Sequence, residues 1–167
     1  PTTLPGAVHG KVITIYSPKG GTGCTTLAVN LAIALHNETT RVVLIDANLQ
    51  YGDVAMFMNE QGKNTILDLA PRVDELDLET IQGVMLTHEA SGVNVLAAPQ
   101  RPEQAEQVSA NQFIKLIDHL RHLYAYIVID TTSSLNDITM AAIDSSDVIT
   151  LVSTQEIPSI KNSRLFL

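Results

Sequence analysis

The stretch Ser17-Pro-Lys-Gly-Gly-Thr-Gly-Cys-Thr-Thr26 gathers three glycines, a lysine and paired threonines into ten residues. Residue types at this spacing suit the binding of phosphate. Gly20, Gly21 and Gly23 let the backbone turn tightly and aim its N–H groups inward. Thr22 completes the run. A helix opening near Thr25 or Thr26 adds the partial positive charge of its N-terminus. The phosphate-loop pattern G-x-x-x-x-G-K-[ST] puts a Mg²⁺-binding hydroxyl at Thr25, and Thr26 offers a hydroxyl or an N–H to a phosphate. Cys24 stands where that pattern has its lysine, while Lys19 lies five residues earlier. The backbone cradle is intact and its main cation is gone. The plain alternative is a glycine-rich turn without a ligand. Cys24 itself reads either as a small residue that fits a tight loop or as a thiol whose pKa the helix start lowers.

Such a loop needs a strand before it and a helix after it. Residues 10–16 form a short β-rich run, and Leu27, Asn30, Leu31, Ala34 and Leu35 fall at helical spacing. Further buried strands are expected over 41–46, 93–98, 125–130 and 147–153. Helical patterns lie between them at 78–86, 109–123 and 137–145. In the second of these, Phe113, Leu116, Ile117 and Leu120 share a face, and Ser109 is the expected N-cap. This alternation implies an α/β fold of three layers, a mainly parallel sheet with helices on both faces. Ligands in such folds bind at the carboxyl ends of the strands, where Tyr16, Asp46, Ala98 and Asp130 fall. Asp46 and Asp130 each close an apolar strand, as a Mg²⁺-holding carboxylate does; the alternative is a cap or a turn.

The chain has 167 residues, 45% of them hydrophobic, which is enough for one sizeable core. No apolar run is long enough to span a membrane. One cysteine excludes an internal disulfide and fits a reducing cytoplasm. The net charge of −8 argues against a broad nucleic-acid surface, though not against a small basic patch. Residues 1–9 read as a linker and 10–167 as one domain. Asn37-Glu-Thr39 matches a glycosylation sequon, read as chance. His36, His88, His119 and His122 show no metal-binding spacing.

The run Lys19-Gly-Gly-Thr-Gly-Cys-Thr-Thr resembles the deviant Walker A loop, K-G-G-x-G-K-[ST]-T, of the MinD/ParA group of dimeric ATPases. Asp46-Ala-Asn-Leu-Gln-Tyr-Gly-Asp53 is similar to that group's first switch, and more narrowly to the CpaE/TadZ branch. Ile66-Leu-Asp-Leu69, Val95-Leu-Ala-Ala-Pro99 with Pro102-Glu103, and Ile157-Pro-Ser-Ile-Lys-Asn162 are further matches to the branch. The resemblance runs from about residue 10 to the C-terminus. It implies a P-loop NTPase-like fold, ATP and Mg²⁺ as ligands, and a nucleotide-dependent homodimer in which Lys19 reaches the partner's phosphates. It also implies a cytoplasmic protein at the cell pole or inner membrane face, working with pilus-assembly or polar proteins in Flp (Tad) pilus assembly. A receiver-like domain before the linker and further strands after Leu167 are expected on the same ground.

Two departures bear on catalysis. The switch aspartate held to orient the attacking water falls on Asn48, which holds a water but cannot take its proton. Cys24 cannot supply a fixed cation. Losing one phosphate-stabilising charge costs powers of ten in rate, so hydrolysis is expected to be weak or absent. A nucleotide-free scaffold and, with less support, an active partition or division-site ATPase stay open as alternatives.

Overall fold

The computed structural model describes residues 9–60 and 62–167. Apart from His9, the linker expected over 1–9 lies outside the described residues. The order is β1 (Lys11–Tyr16), α1 (Cys24–Leu35), β2 (Val42–Asp46), α2 (Val54–Phe57), α3 (Leu78–Val84), β3 (Leu86–Thr87), β4 (Asn94–Leu96), α4 (Ala110–Arg121), β5 (Tyr126–Asp130), α5 (Asp137–Asp144), β6 (Val148–Leu151) and α6 (Ile157–Phe166). Short 3-10 turns occupy Ile66–Asp68, Ala70–Glu75 and Pro102–Gln107.

The strands form one sheet in the order β3-β4-β2-β5-β1-β6, parallel throughout except for the β3–β4 pair. Its two faces are legible strand by strand. Val12, Val43, Ile45, Ile127 and Ile129 belong to one buried cluster with α4 and α5, and Ile15, Val42, Leu44 and Val128 to the other with α1. The period-two alternation of a strand buried on both sides accounts for this split. The expected three-layer α/β architecture is therefore present. On α4, Phe113, Leu116, Ile117 and Leu120 are fully buried, each worth about 1.5–3 kcal/mol over exposure. Ser109 caps that helix in a reciprocal box with Gln112, as expected.

Three local expectations change. The helix read over 78–86 stops at Val84, because Met85 turns extended and Leu86 pairs with Val95 as a short antiparallel edge. On α1 the buried positions are Ala28, Val29 and Ala32, while Leu27 lies 39% exposed. Small side chains let the helix axis approach the sheet, and Leu31 and Leu35 pack half-buried at the flanks. The strand read as buried over 147–153 is an edge strand, β6, with Val148 48% and Ile149 41% exposed.

Arg121, buried at the end of α4, ties three segments together. Its guanidinium donates to Gly10 O (2.7 Å), Asp147 Oδ2 (2.7 Å) and Ser145 O (2.6 Å). Asp147 Oδ2 also accepts from Val12 N at 2.7 Å. That bond and then Arg121 hold the Asp147 carboxyl below its ordinary pKa. The entry of β1, and so the approach to the glycine loop, is fixed from below.

Candidate functional site

The loop after β1 opens a cavity of about 450 Å³. Ser17, residues 19–26, Asn48, Asp53, Phe57 and residues 131–133 line it. Gly21 and Gly23 take φ of 74° and 91°, a region where a side chain is strained. Helix α1 starts at Cys24, with no acidic residue in its first turn and no side chain capping it. Its first N–H groups therefore lack a side-chain acceptor where they border the cavity, which is the setting in which helix ends take anions. The predicted phosphate-binding residues are thus brought together.

Thr25 Oγ1 donates to Asp130 Oδ2 at 2.6 Å. The second oxygen of Asp130, Oδ1, is buried without a partner. A buried carboxylate oxygen left unpaired beside a threonine hydroxyl fits a hard cation, so Thr25 and Asp130 are suited to hold Mg²⁺ directly or through water. When bound, the ion would offset phosphate charge. Asp46 sits beside Asp130 as its register partner on the adjacent strand. Its two oxygens are already engaged: Oδ1 accepts from Asn48 N (3.1 Å) and Oδ2 from Val54 N (3.0 Å). Asp46 therefore holds the loop 47–53 in place from within. Gly52 makes this possible, since a methyl there would overlap the Asp46 carboxylate. Among the described residues no group of three or more His, Cys, Asp or Glu forms a metal-binding cluster.

The site is electronegative. Burial, then the charges of Asp130 and Asp53, push Asp46 up to about 7 despite the bonds from Val54 and Asn48. Burial and Asp53 push Asp130 up to about 6 against the Thr25 bond. Burial and Asp130 also raise the Cys24 thiol, against the bond with Thr22. This corrects the reading of a lowered, reactive thiol: burial, with the Asp130 charge behind it, holds the thiol up, and the sulfur stays neutral. Asn48 turns its side chain onto its own loop, where Nδ2 donates to Tyr51 O (2.9 Å) and Oδ1 accepts from Tyr51 N (3.4 Å). Lys19 is ion-paired with Glu156.

The raised carboxylates set a pH dependence. A folded acid with a raised pKa adds stability below its unfolded pKa, near 4, and loses it as pH climbs through the folded value. Melting temperature without ligand should therefore fall between pH 5 and 8, and Asp46→Asn should flatten that slope. Mg²⁺ competes with these protons, so the rise in melting temperature it gives should be larger at pH 8 than at pH 5.5. An Mg²⁺ effect independent of pH would contradict this assignment.

Sequence reasoning missed Phe57 and residues 131–133, and gave Asp53 no role beyond closing the switch run. The polar run Thr131-Thr-Ser-Ser134 directly after an apolar strand was the available signal for the last group.

The glycine loop, the strand-end carboxylates and the sheet order define a P-loop protein of the MinD/ParA type. The chain belongs to the AAA_31 family (AAA domain), whose profile matches residues 10–164. It is 29% identical over 153 residues to an uncharacterised ATP-binding protein of Methanocaldococcus jannaschii, covering 90% of this chain and 55% of that protein. Among solved structures it resembles the septum site-determining protein MinD of Pyrococcus horikoshii, complexed with Mg-ADP. That match has TM-score 0.78 and 25% identity, and covers 92% of this chain and 61% of that one. A ParA family ATPase of Chlorobium tepidum shares the fold with TM-score 0.84 at 23% identity, over 91% of this chain and 64% of the other. The chain spans about half the length of the curated relatives it matches.

Proposed function

We propose that this chain is the nucleotide-binding part of a dimerising localisation factor that binds Mg-ATP and hydrolyses it weakly or not at all. The observation that carries the reading is an intact anion cradle whose cation is replaced by the neutral Cys24 thiol. Asn48, bonded to its own loop, adds a second loss on the catalytic side. Within the MinD/ParA type, the switch Asp46-Ala-Asn-Leu-Gln-Tyr-Gly-Asp53 supports the CpaE/TadZ branch, and with it a role in Flp pilus assembly at the cell pole or inner membrane face. The partners are then a second copy and pilus-assembly proteins. Loss of the gene should abolish Flp pili and leave division and segregation intact; the reverse phenotype would assign a division or partition role.

The nucleotide-free scaffold has one specific observation in its favour: Asp46, Asp53 and Asp130 crowd the site with negative charge. Calorimetric and thermal titration decides between the two. At Mg-ATP a hundredfold above its Kd, stability should rise by about 2.7 kcal/mol, or roughly 5–11 °C for a domain of this size. Thr25→Ala should weaken binding about tenfold, the value of one lost bond to a charged ligand. No shift with millimolar ATP or ADP would decide for the scaffold.

A further inference from the structure

Lys19, the residue offered to a partner, is engaged on its own protomer. Its ammonium pairs with Glu156, although the lysine side chain remains 35% exposed. Glu156 is the N-cap of α6, yet its carboxylate makes no capping bond to that helix. The surrounding bonds explain how a residue so distant in sequence arrives at the loop. Val152 N donates to Tyr16 O at 2.8 Å, fastening the end of β6 to the last residue of β1. Thr154 N donates to Ser159 Oγ at 3.0 Å, and Ser153 Oγ lies 3.1 Å from the same oxygen, fixing the turn into α6. At the far end of α6, the Phe166 ring lies 4.7 Å from that of Tyr16. The helix is seated on the root of the glycine loop, and its first turn presents a carboxylate to Lys19.

We propose that Glu156 is a positioning residue that stores Lys19 on its own protomer and yields it when a second copy brings phosphates. This rests on the dimerising reading above. A half-exposed pair is weak and reversible, so the contact is a latch that opposes dimerisation modestly. A triphosphate carries several negative charges and outcompetes one carboxylate for the same ammonium. A symmetric dimer must open two latches. Each is worth up to about fivefold, so removing both should raise the association constant by roughly 2- to 25-fold.

Two measurements test this. In the ligand-free protein, acetylation followed by mass spectrometry should modify Lys19 more slowly than the exposed Lys63 and Lys161. Glu156→Gln should bring its rate toward theirs; an unchanged rate overturns the latch whatever the oligomeric state. Sedimentation in Mg-ATP should then show tighter dimers for Glu156→Gln than for wild type, and no such gain when Lys19→Ala is already present. A gain that persists in Lys19→Ala marks an effect of Glu156 on α6 alone and overturns the proposal, as does weaker dimerisation in Glu156→Gln. Equal dimers in wild type and variant sink the proposal and leave the dimerising reading standing. Monomers in both sink that reading and the latch with it.

Discussion

Cys24→Lys is expected to tighten Mg-ATP binding by about 10- to 100-fold, the scale of one fixed cation against phosphate in a site sheltered from water. Cys24 opens α1 on the cavity wall, so a lysine grafted there projects from the position the phosphate-loop pattern assigns to it. The gain should be largest at low salt and fall as salt rises. Hydrolysis should rise only modestly in this variant, because Asn48 still offers no base. Adding Asn48→Asp should then raise the rate by a further factor of about 100 or more, within the range that general-base catalysis supplies. Calorimetry measures the first step and phosphate release under single-turnover conditions the second. A large rate from Cys24→Lys alone would show that Asn48 is not limiting. No gain in affinity would show that the carboxylates of Asp46, Asp53 and Asp130 neutralise the added charge.

Arg121→Met should lower stability by roughly 3 kcal/mol, the cost of leaving two backbone carbonyls without their donor and losing a half-exposed ion pair, and the melting temperature by about 6–12 °C. The methionine keeps much of the packing volume, but Gly10 O and Ser145 O lose their donor and Asp147 keeps only Val12 N. Asp147→Asn should cost less, since that side chain is 42% exposed and an amide still accepts from Val12. Thermal unfolding followed by circular dichroism gives both values. Equal melting of wild type and Arg121→Met would mean that solvent replaces the three bonds without loss.

The glycine loop, the strand-end aspartates and the capped helix α4 were legible because each depends on residues close together in sequence. Turn glycines, period-two strands and a Ser109–Gln112 box are all local. The face of α1 was hidden, because counting apolar residues favours Leu27, Leu31 and Leu35 while close approach to the sheet favours Ala28 and Ala32. The neutral state of Cys24 was hidden for a related reason. Its helix position is local, but the burial that raises the thiol, and the Asp130 charge that adds to it, come from segments that meet it only in the fold. Arg121 and Glu156 were missed outright, since nothing near either residue names its partner. The fold brings Arg121 to Gly10 and Asp147 through three separate chain segments.

Asp46 gives the site a mechanical property as well as a charge. Its two oxygens are the clasp at both ends of the loop 47–53, so the loop and the start of α2 hang from one carboxylate. Adding a proton or drawing the charge toward a cation loosens both attachments together. This segment carries Tyr51 and Met56, 71% and 74% exposed, and Phe57, 54% exposed at the cavity wall. A change of one charge at a buried fulcrum is thus geared outward to three large apolar side chains on the surface. The chain contains no tryptophan, so Tyr51→Trp would turn that gearing into a fluorescence signal free of background.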